Sequence, residues 1–229
     1  MVQFNLPRRE LTLKVVYYGP ALSGKTTNLQ AIHSMVPQGG AGRLMTLETR
    51  DDRTLFFDLL PVFIRTRSGF KVKLKLFTVP GQVIHASTRR VVLQGADAVA
   101  FIADSQVSET PANKQAFEDL QRNMRANGLP DDLPLVIQFN KRDLPDIRSD
   151  AELALLEQRR RTPIFRAVAI NGIGVQETAH GLLSRLWDRL ENEHTISEKL
   201  RIDREAFLSQ IFQNWRPPRP LAGGVGNTW

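Results

Sequence analysis

The segment GPALSGKT, residues 19–26, restricts what this chain can fold into more than any other feature of its sequence. It fits the pattern G-x-x-x-x-G-K-S/T and lies between a β-rich apolar run at 11–18 and a helical pattern at 25–36. In that setting, backbone N–H groups at the helix N-terminus surround a β-phosphate, Lys25 neutralises the β/γ oxygens and the Thr26 hydroxyl reaches Mg²⁺. The strand–loop–helix context argues against a chance match. The residues predicted to hold the phosphates are Gly19, Ala21, Leu22, Ser23, Gly24, Lys25, Thr26 and Thr27.

Strand patterns alternate with helical patterns along most of the chain, which predicts βαβ units and ligand binding at the carboxyl ends of the strands. The run at 70–77 alternates strictly between apolar and other residues, and a turn joins it to 55–64 as a hairpin. Pro61 places that second strand at an edge or a bulge. The predicted fold is α/β, with a mostly parallel six-stranded sheet, one antiparallel strand and helices on both faces. The predicted strands are 11–18, 55–64, 70–77, 96–104, 133–140 and 162–170, and the clearest helix is 175–191.

The segment NKRD, residues 140–143, follows another predicted strand and has the Asn-Lys-x-Asp pattern that reads guanine. Asp143 can accept hydrogen bonds from N1–H and the exocyclic amine of guanine, a pair that adenine does not offer. The Lys141 stem can lie along the base, and Asn140 can join the base site to the phosphate loop. Taken alone, the segment is better explained as a polar loop, but the phosphate loop elsewhere in the chain favours guanine. Ala169, after the last predicted strand, is the predicted N–H donor to the guanine O6.

The composition excludes several classes of protein. Apolar residues make up 41% and charged residues 24% of the chain, without a long apolar run, a signal peptide or a cysteine. We therefore expect a cytosolic protein with no membrane-spanning segment, disulfide, thiolate metal site or lipid-anchored cysteine. The net charge of +7 allows a basic patch, but Lys and Arg are interleaved with Asp and Glu, which favours a solvated surface. No nucleic-acid-binding signature is present, so no such partner is expected.

The pattern changes after residue 193. Residues 1–193 are predicted to form a single domain and 194–229 a C-terminal extension. Within the extension, 196–215 has the pattern of one amphipathic helix, and 216–229 is too rich in Pro and Gly to pack, which predicts a flexible tail. The Arg/Pro run of that tail fits an inert segment and an extended docking segment equally well.

These motifs resemble the Ras-like small GTPases, and more narrowly the bacterial MglA-type polarity GTPases that control gliding and type IV pilus motility. The resemblance covers roughly residues 10–191 and implies a Ras-like G domain with the P-loop NTPase fold. The combination of TVPGQ with DRTLFFD is specific to that group. The segments that carry the resemblance are VYYGPALSGKTTNLQ at 16–30, DRTLFFDLLP at 52–61, TVPGQV at 78–83, FIADSQ at 101–106 and QFNKRDLP at 138–145.

Thr78 stands where most small GTPases have an acid that helps to hold magnesium. The resemblance implies that threonine is usual there in this group, and that Thr26 and Thr54 are the two protein ligands of Mg²⁺. Water and phosphate oxygens would complete the octahedron, as magnesium tolerates well. Asp58 is a candidate for indirect help, but its position does not follow from the sequence. Gly81, in the same switch segment as Thr78, is assigned to the nucleotide site.

Hydrolysis requires a group that orients water and a positive charge near the γ-phosphate. Gln82 fits the first role, and the resemblance implies Arg53 for the second, as an arginine finger supplied in cis. The alternative for Arg53 is an ordinary solvated loop arginine. Ala21 departs from the glycine usual in the family, and its methyl group is expected to slow hydrolysis where Gln82 and Arg53 must converge.

The resemblance implies a slow GTPase switch that binds GTP or GDP with Mg²⁺ and binds polarity effectors in one nucleotide state. It also implies acceleration by a small roadblock-type, MglB-like activating protein and is compatible with recruitment to a cell pole. The alternative is a GTP-loaded scaffold with negligible turnover. Ala21 favours the scaffold, whereas Arg53 and Gln82 together favour the enzyme.

Overall fold

One sheet organises the fold. The computed structural model describes residues 2–5, 7–48, 56–66, 69–82, 85–217 and 221. Its strands in chain order are β1 (Gln3–Asn5), β2 (Glu10–Tyr18), β3 (Met45–Glu48), β4 (Phe56–Arg65), β5 (Lys71–Thr78), β6 (Ala98–Asp104), β7 (Leu135–Asn140) and β8 (Ile164–Arg166). The helices are α1 (Lys25–Met35), α2 (Ala86–Leu93), α3 (Thr110–Ala126), α4 (Asp150–Arg160), α5 (Val175–His194), α6 (Ile196–Leu200) and α7 (Arg204–Phe212).

The strand order is β3-β4-β5-β2-β6-β7-β8, with β1 paired to β2. The pairs from β5 through β2, β6 and β7 to β8 are parallel, whereas β1–β2, β3–β4 and β4–β5 are antiparallel. The mostly parallel sheet is as predicted, but the described part contains eight strands rather than six. The two additional strands, β1 and β3, have only three and four residues, too few to predict a strand from the sequence, and each is held by pairing with a longer neighbour.

The sequence predicted that Pro61 places β4 at an edge or a bulge, but β4 lies between β3 and β5, and its register with β5 is continuous through Pro61. Strand β3 covers the outer side of β4 as far as Leu59, which pairs with Met45. Beyond Leu59, the loop after α1 covers the outer side of β4. The Pro61 carbonyl accepts from the Gly42 N–H at 2.8 Å, and the Phe63 N–H donates to the Gly40 carbonyl at 2.7 Å. A residue without an N–H is tolerated here because the contact needs only its carbonyl.

Two hydrophobic clusters lie on opposite faces of the sheet, as helices on both faces require. Tyr17 and Tyr18 illustrate the alternation along β2, because the first belongs to the cluster under α1 and α5 and the second to the cluster beneath α2, α3 and α4. The second cluster is built on β6 and β7, whose apolar runs are buried on both sides. This packing fixes the carboxyl ends of the central strands, where the functional residues lie.

The C-terminal extension forms two short helices instead of the single helix predicted over 196–215. Arg201 has a left-handed backbone (φ 52°) that ends α6, and the Asp203 side chain caps α7 by accepting from the Ala206 N–H at 2.7 Å. Phe207 then packs on Trp187 of α5, with ring centroids 4.8 Å apart. The extension therefore shares the core of α1 and α5. The division at residue 193 stays a prediction, and most of the Pro/Gly-rich tail lies outside the described residues.

None of the described helices has the length and apolarity needed to cross a bilayer.

Candidate functional site

The phosphate loop connects the end of β2 to the start of α1 and makes two close backbone approaches. Gly19 has φ 147°, and a Cβ there would lie 2.1 Å from the Ile102 carbonyl oxygen. Gly24 has φ 98°, and a Cβ there would lie 2.1 Å from the Asn140 amide nitrogen. Both positions require glycine, because a side chain would collide with the neighbouring strand and because the positive φ is disfavoured for other residues. The loop is thereby pressed against β6 on one side and β7 on the other.

Lys25 at the start of α1 is buried, with its side chain folded back over the loop. Its ammonium group donates to the carbonyls of Gly19, at 3.1 Å, and Pro20, at 2.5 Å. Burial, together with the like charge of Arg89 and against the opposing effect of Asp58, lowers the pKa of Lys25 to about 8. A phosphate anion is the partner that such a desolvated cation lacks.

A cleft of about 700 Å³ opens between the phosphate loop and the switch segment that follows β5. It brings together residues that the sequence assigned from two distant motifs. Those lining it are Ala21, Leu22, Gly24, Lys25, Thr26, Thr27, Gly81 and Gln82. Ser23 is fully buried beneath the loop and contributes its backbone instead.

The Asp58 side chain projects from β4 into this cleft and accepts hydrogen bonds from three threonine hydroxyls. Its carboxylate accepts from Thr26 at 2.6 Å, from Thr78 at 2.9 Å and from Thr46 at 2.9 Å. The Asp58 N–H also donates to the Thr78 hydroxyl at 2.9 Å. The carboxylate is only 7% exposed and makes no ion pair with any residue the structure describes. A buried negative charge beside Thr26, with no ion pair among the described residues, therefore stands close to the predicted magnesium position.

The switch segment lies directly on the phosphate loop. A Cβ placed on Gly81 would lie 2.2 Å from the backbone nitrogen of Ala21, so the two backbones touch. The Gln82 side chain is exposed. The backbone carbonyl of Gln82 accepts from the backbone N–H of His85 at 3.2 Å. Arg53 and Thr54, the predicted arginine finger and second metal ligand, lie outside the described residues.

Asn140 at the end of β7 joins the two halves of the predicted nucleotide site. Its side-chain N–H donates to the Ser23 carbonyl at 2.9 Å, and its carbonyl oxygen accepts from the Ala169 N–H at 2.9 Å. The N–H that the sequence assigned to the guanine O6 is thus engaged by Asn140 in this structure. The role of Ala169 in base binding stays a prediction.

Lys141 and Asp143 differ in how they are held. Lys141 has φ 66° and its ammonium group pairs with the buried Asp104 carboxylate at 2.6 Å, which orients the stem. Asp143 is exposed, and its carboxylate makes no hydrogen bond or ion pair to any described residue. A free carboxylate beside an oriented lysine stem is the arrangement that the guanine pattern requires.

No protein-family model matches the chain. A protein of Myxococcus xanthus (strain DK1622), the mutual gliding-motility protein MglA, is 44% identical to it over 175 residues. The matched part is 76% of this chain and 90% of the relative. The chain belongs to the MglA family. This membership confirms the resemblance seen in the motifs, and the fold agrees with the Ras-like G domain of an MglA-type GTPase.

Sequence reasoning missed three residues of this MglA-family site: Thr46, Asp104 and Arg89. Thr46 lies on β3, which was not predicted as a strand. Asp104 had a usable signal, because an acid at the end of one buried strand lies opposite Asn140 in the parallel β6–β7 register. Arg89, buried in α2, follows the switch segment by a few residues, and nothing in its neighbourhood marks it as more than a helix-surface arginine.

Proposed function

We propose that this protein is a guanine-nucleotide switch that binds GTP and GDP with Mg²⁺ and hydrolyses GTP slowly. The observation that carries the proposal is the Asn140 side chain, which is bonded at once to Ser23 in the phosphate loop and Ala169 in the base loop. Such a bridge fixes the spacing between the two halves of the site. Base and phosphates of a single molecule can then be bound together.

Guanine selectivity is assigned to Asp143. Its carboxylate is free to accept two hydrogen bonds, and Lys141 beside it is held by Asp104 so that its stem can cover the base. Adenine would leave the carboxylate without donors at those positions. A site that hydrogen-bonds a ligand group rejects analogues that lack it far more strongly than an apolar pocket does.

The threonines around Asp58 fit a magnesium site made of oxygen ligands. Thr26 donates its proton to Asp58 and so keeps its oxygen lone pairs for a cation. The buried negative charge of Asp58 is a second feature that fits, because it makes no ion pair with any described residue and a bound cation would lower the cost of its burial. Bound Mg²⁺ supplies positive charge to the β- and γ-phosphate oxygens. Thr54 is the proposed second ligand.

Hydrolysis is assigned to Gln82 and Arg53. Gln82 lines the same cleft as Lys25 and Thr26, within which its amide can orient an attacking water. Arg53 precedes Thr54 in the chain, so a loop that brings Thr54 to the metal also brings Arg53 near the γ-phosphate. Lys25 contributes a further positive charge to the phosphates.

The biological role is extended from the relative. The Myxococcus protein is named for gliding motility, and 90% of its length is matched. We therefore assign this protein to the control of cell polarity and of gliding or pilus motility, through effectors that bind its GTP form. A roadblock-type, MglB-like protein is the expected activator.

A GTP-loaded scaffold is the second candidate. The Gly81 backbone touches that of Ala21, and we infer that the Ala21 methyl group, in this close contact, hinders the approach of the Gln82 amide to a water. Turnover separates the two candidates, whereas nucleotide binding does not.

Nucleotide selectivity is the first test. Nucleotide-free protein is titrated with fluorescent GDP, GTP and ATP in the presence of Mg²⁺, and GTP should bind at least about a hundredfold more tightly than ATP. Asp143→Asn should shift the preference toward xanthine nucleotides, whose C2 carbonyl suits an amide donor. Asp146→Asn, three residues along the same loop, is the matched control and should change nothing. Equal affinity of the parent protein for ATP and GTP would contradict the proposed guanine-nucleotide switch.

Single-turnover phosphate release, with and without a roadblock-type protein, is the second test. Turnover that rises with the partner supports the switch. Tight GTP binding with no turnover in either condition supports the scaffold.

A further inference from the structure

A buried arginine on α2 holds the backbone of the switch segment. Arg89 is 5% exposed. One of its terminal nitrogens donates to the backbone carbonyl of Gln82 at 2.5 Å and to that of Pro80 at 3.4 Å. Both acceptors belong to the segment that carries the proposed water-orienting glutamine. The same cation lies close enough to Lys25 to lower the pKa of that lysine.

Asp119 of α3 fixes Arg89 from the other side. Its carboxylate accepts from the Arg89 Nε at 2.7 Å and from the Tyr18 hydroxyl at 2.5 Å. Asn123 donates to both the Asp119 carboxylate, at 3.2 Å, and the Tyr18 oxygen, at 2.9 Å. Burial alone would raise the pKa of Asp119, but the hydrogen bonds from Tyr18 and Arg89 outweigh it and hold the pKa below its ordinary value. The pair therefore stays ionised, anchored at once to β2, α3 and the switch.

The backbone of Gln82 is consequently held on two sides while its side chain is exposed. On one side Gly81 touches Ala21 of the phosphate loop. On the other, the Gln82 carbonyl is held by Arg89 and by the His85 N–H. A fixed main chain with an exposed amide is what a water-orienting residue requires, because a misplacement of about 1 Å can cost about a hundredfold in rate.

We propose that Arg89 is a positioning residue for GTP hydrolysis, acting through the carbonyls of Pro80 and Gln82, with Asp119 as its anchor. The inference rests on the proposed GTPase function and adds a residue that does not touch the nucleotide. Arginine is needed because its planar group offers several N–H donors in fixed directions, enough for a carboxylate and two carbonyls together. A lysine can keep the ion pair with Asp119 but cannot also hold both carbonyls.

The test compares Arg89→Lys with Arg122→Ala. Arg122 also contacts Asp119, at 3.4 Å, but it is 61% exposed and does not reach the switch, so it is the matched control. For each variant, single-turnover GTP hydrolysis, GTP and GDP dissociation constants and the melting temperature are measured. Arg89→Lys should slow hydrolysis by at least about tenfold while both dissociation constants stay within a few-fold and melting is little changed. Arg122→Ala should match the parent in all three.

A second measurement separates positioning from general damage. Gln82→Leu and Arg89→Lys are combined, and the double variant should be little slower than Gln82→Leu alone, since both changes act on one geometry. Additive losses, an unchanged rate in Arg89→Lys, or a rate loss matched by an equal loss of nucleotide affinity would each overturn the inference. If the parent protein binds GTP without measurable turnover, the proposed hydrolysis fails and the inference fails with it. If the parent turns over GTP and only the Arg89 variants behave otherwise than expected, the inference fails alone, so the two failures are distinguishable.

Discussion

The Thr26 hydroxyl donates to the Asp58 carboxylate over 2.6 Å, across the gap between α1 and β4. Thr78 stands at the usual position of the metal-site acid, and its hydroxyl donates to that same carboxylate. We therefore propose that the neighbouring strand supplies the acid that the switch segment lacks, and that Thr78 helps to orient it.

Asp58→Ala should weaken Mg²⁺-dependent nucleotide binding by about 10–100-fold, the usual cost of removing a partner that orients a metal ligand. Thr78→Ala should cost only a few-fold, because Thr26 and Thr46 still hold the carboxylate. Combining Asp58→Ala with Thr78→Asp should recover part of the loss. The measurement is nucleotide affinity over a Mg²⁺ titration, with Thr26→Asn as the variant that loses a direct ligand. Thr78→Ala as damaging as Thr26→Asn would show the coordination scheme to be wrong.

Nucleotide affinity should depend on pH through Lys25. Burial holds the pKa of the free side chain at about 8, and bound phosphates raise it. Affinity is therefore full below about pH 8 and falls as pH rises toward the pKa of the bound state, by up to about tenfold between about pH 7 and pH 9. Lys25→Ala is the control, since it retains any effect of ionisation of the base itself. A flat profile in the parent protein would contradict the assignment of Lys25 to the phosphates.

Arg53→Ala should leave GTP affinity within a few-fold and remove most of the partner-stimulated hydrolysis, because the charge that it meets develops mainly during transfer. Arginine fingers are worth on the order of 10³–10⁵ in rate, and the loss is expected at the low end here if Ala21 already hinders closure. Ala21→Gly should raise turnover for the same reason. Partner-stimulated phosphate release measured on both variants checks this. Unchanged hydrolysis in Arg53→Ala would make Arg53 an ordinary loop arginine.

Truncation separates the extension from the nucleotide site. Removal of everything after residue 194 should lower the free energy of unfolding by several kcal/mol, since Phe207→Ala alone is expected to cost about 3–5 kcal/mol. Truncation after residue 217, which keeps α6 and α7, should leave urea unfolding unchanged. Both forms should bind GDP normally while folded, because the contact of the extension with the base loop, from the Leu221 N–H to the Ile170 carbonyl at 2.8 Å, involves none of the predicted phosphate or base ligands. Loss of GDP affinity in a folded 194-residue form would mean that the extension reaches the site.

Sequence reasoning succeeded where a site residue and its role lie in one segment. The phosphate loop and NKRD could be predicted because their spacing is local, and Asn140 was correctly expected to reach the phosphate loop. Sequence reasoning failed where the register between strands decides which side chains meet. Asp58 meets Thr26 only because β4 pairs antiparallel with β5, and Thr46 joins them through a strand of four residues, too short to be predicted from its pattern. Arg89 is hidden for a related reason, since its partners come from β2, α3 and the switch and nothing in the local sequence marks their convergence.

The position of Asp58 has a mechanical consequence. In most small GTPases the metal-site acid and the water-orienting glutamine share one short segment, so a single displacement disturbs both. Here the acid is on β4 and Gln82 follows β5, with Arg89 holding the second alone. We therefore expect a partner that displaces α2, and Arg89 with it, to change the timing of hydrolysis, whereas a displacement of β4 would act on Asp58 and also on the start of the switch segment, through the two hydrogen bonds between Asp58 and Thr78.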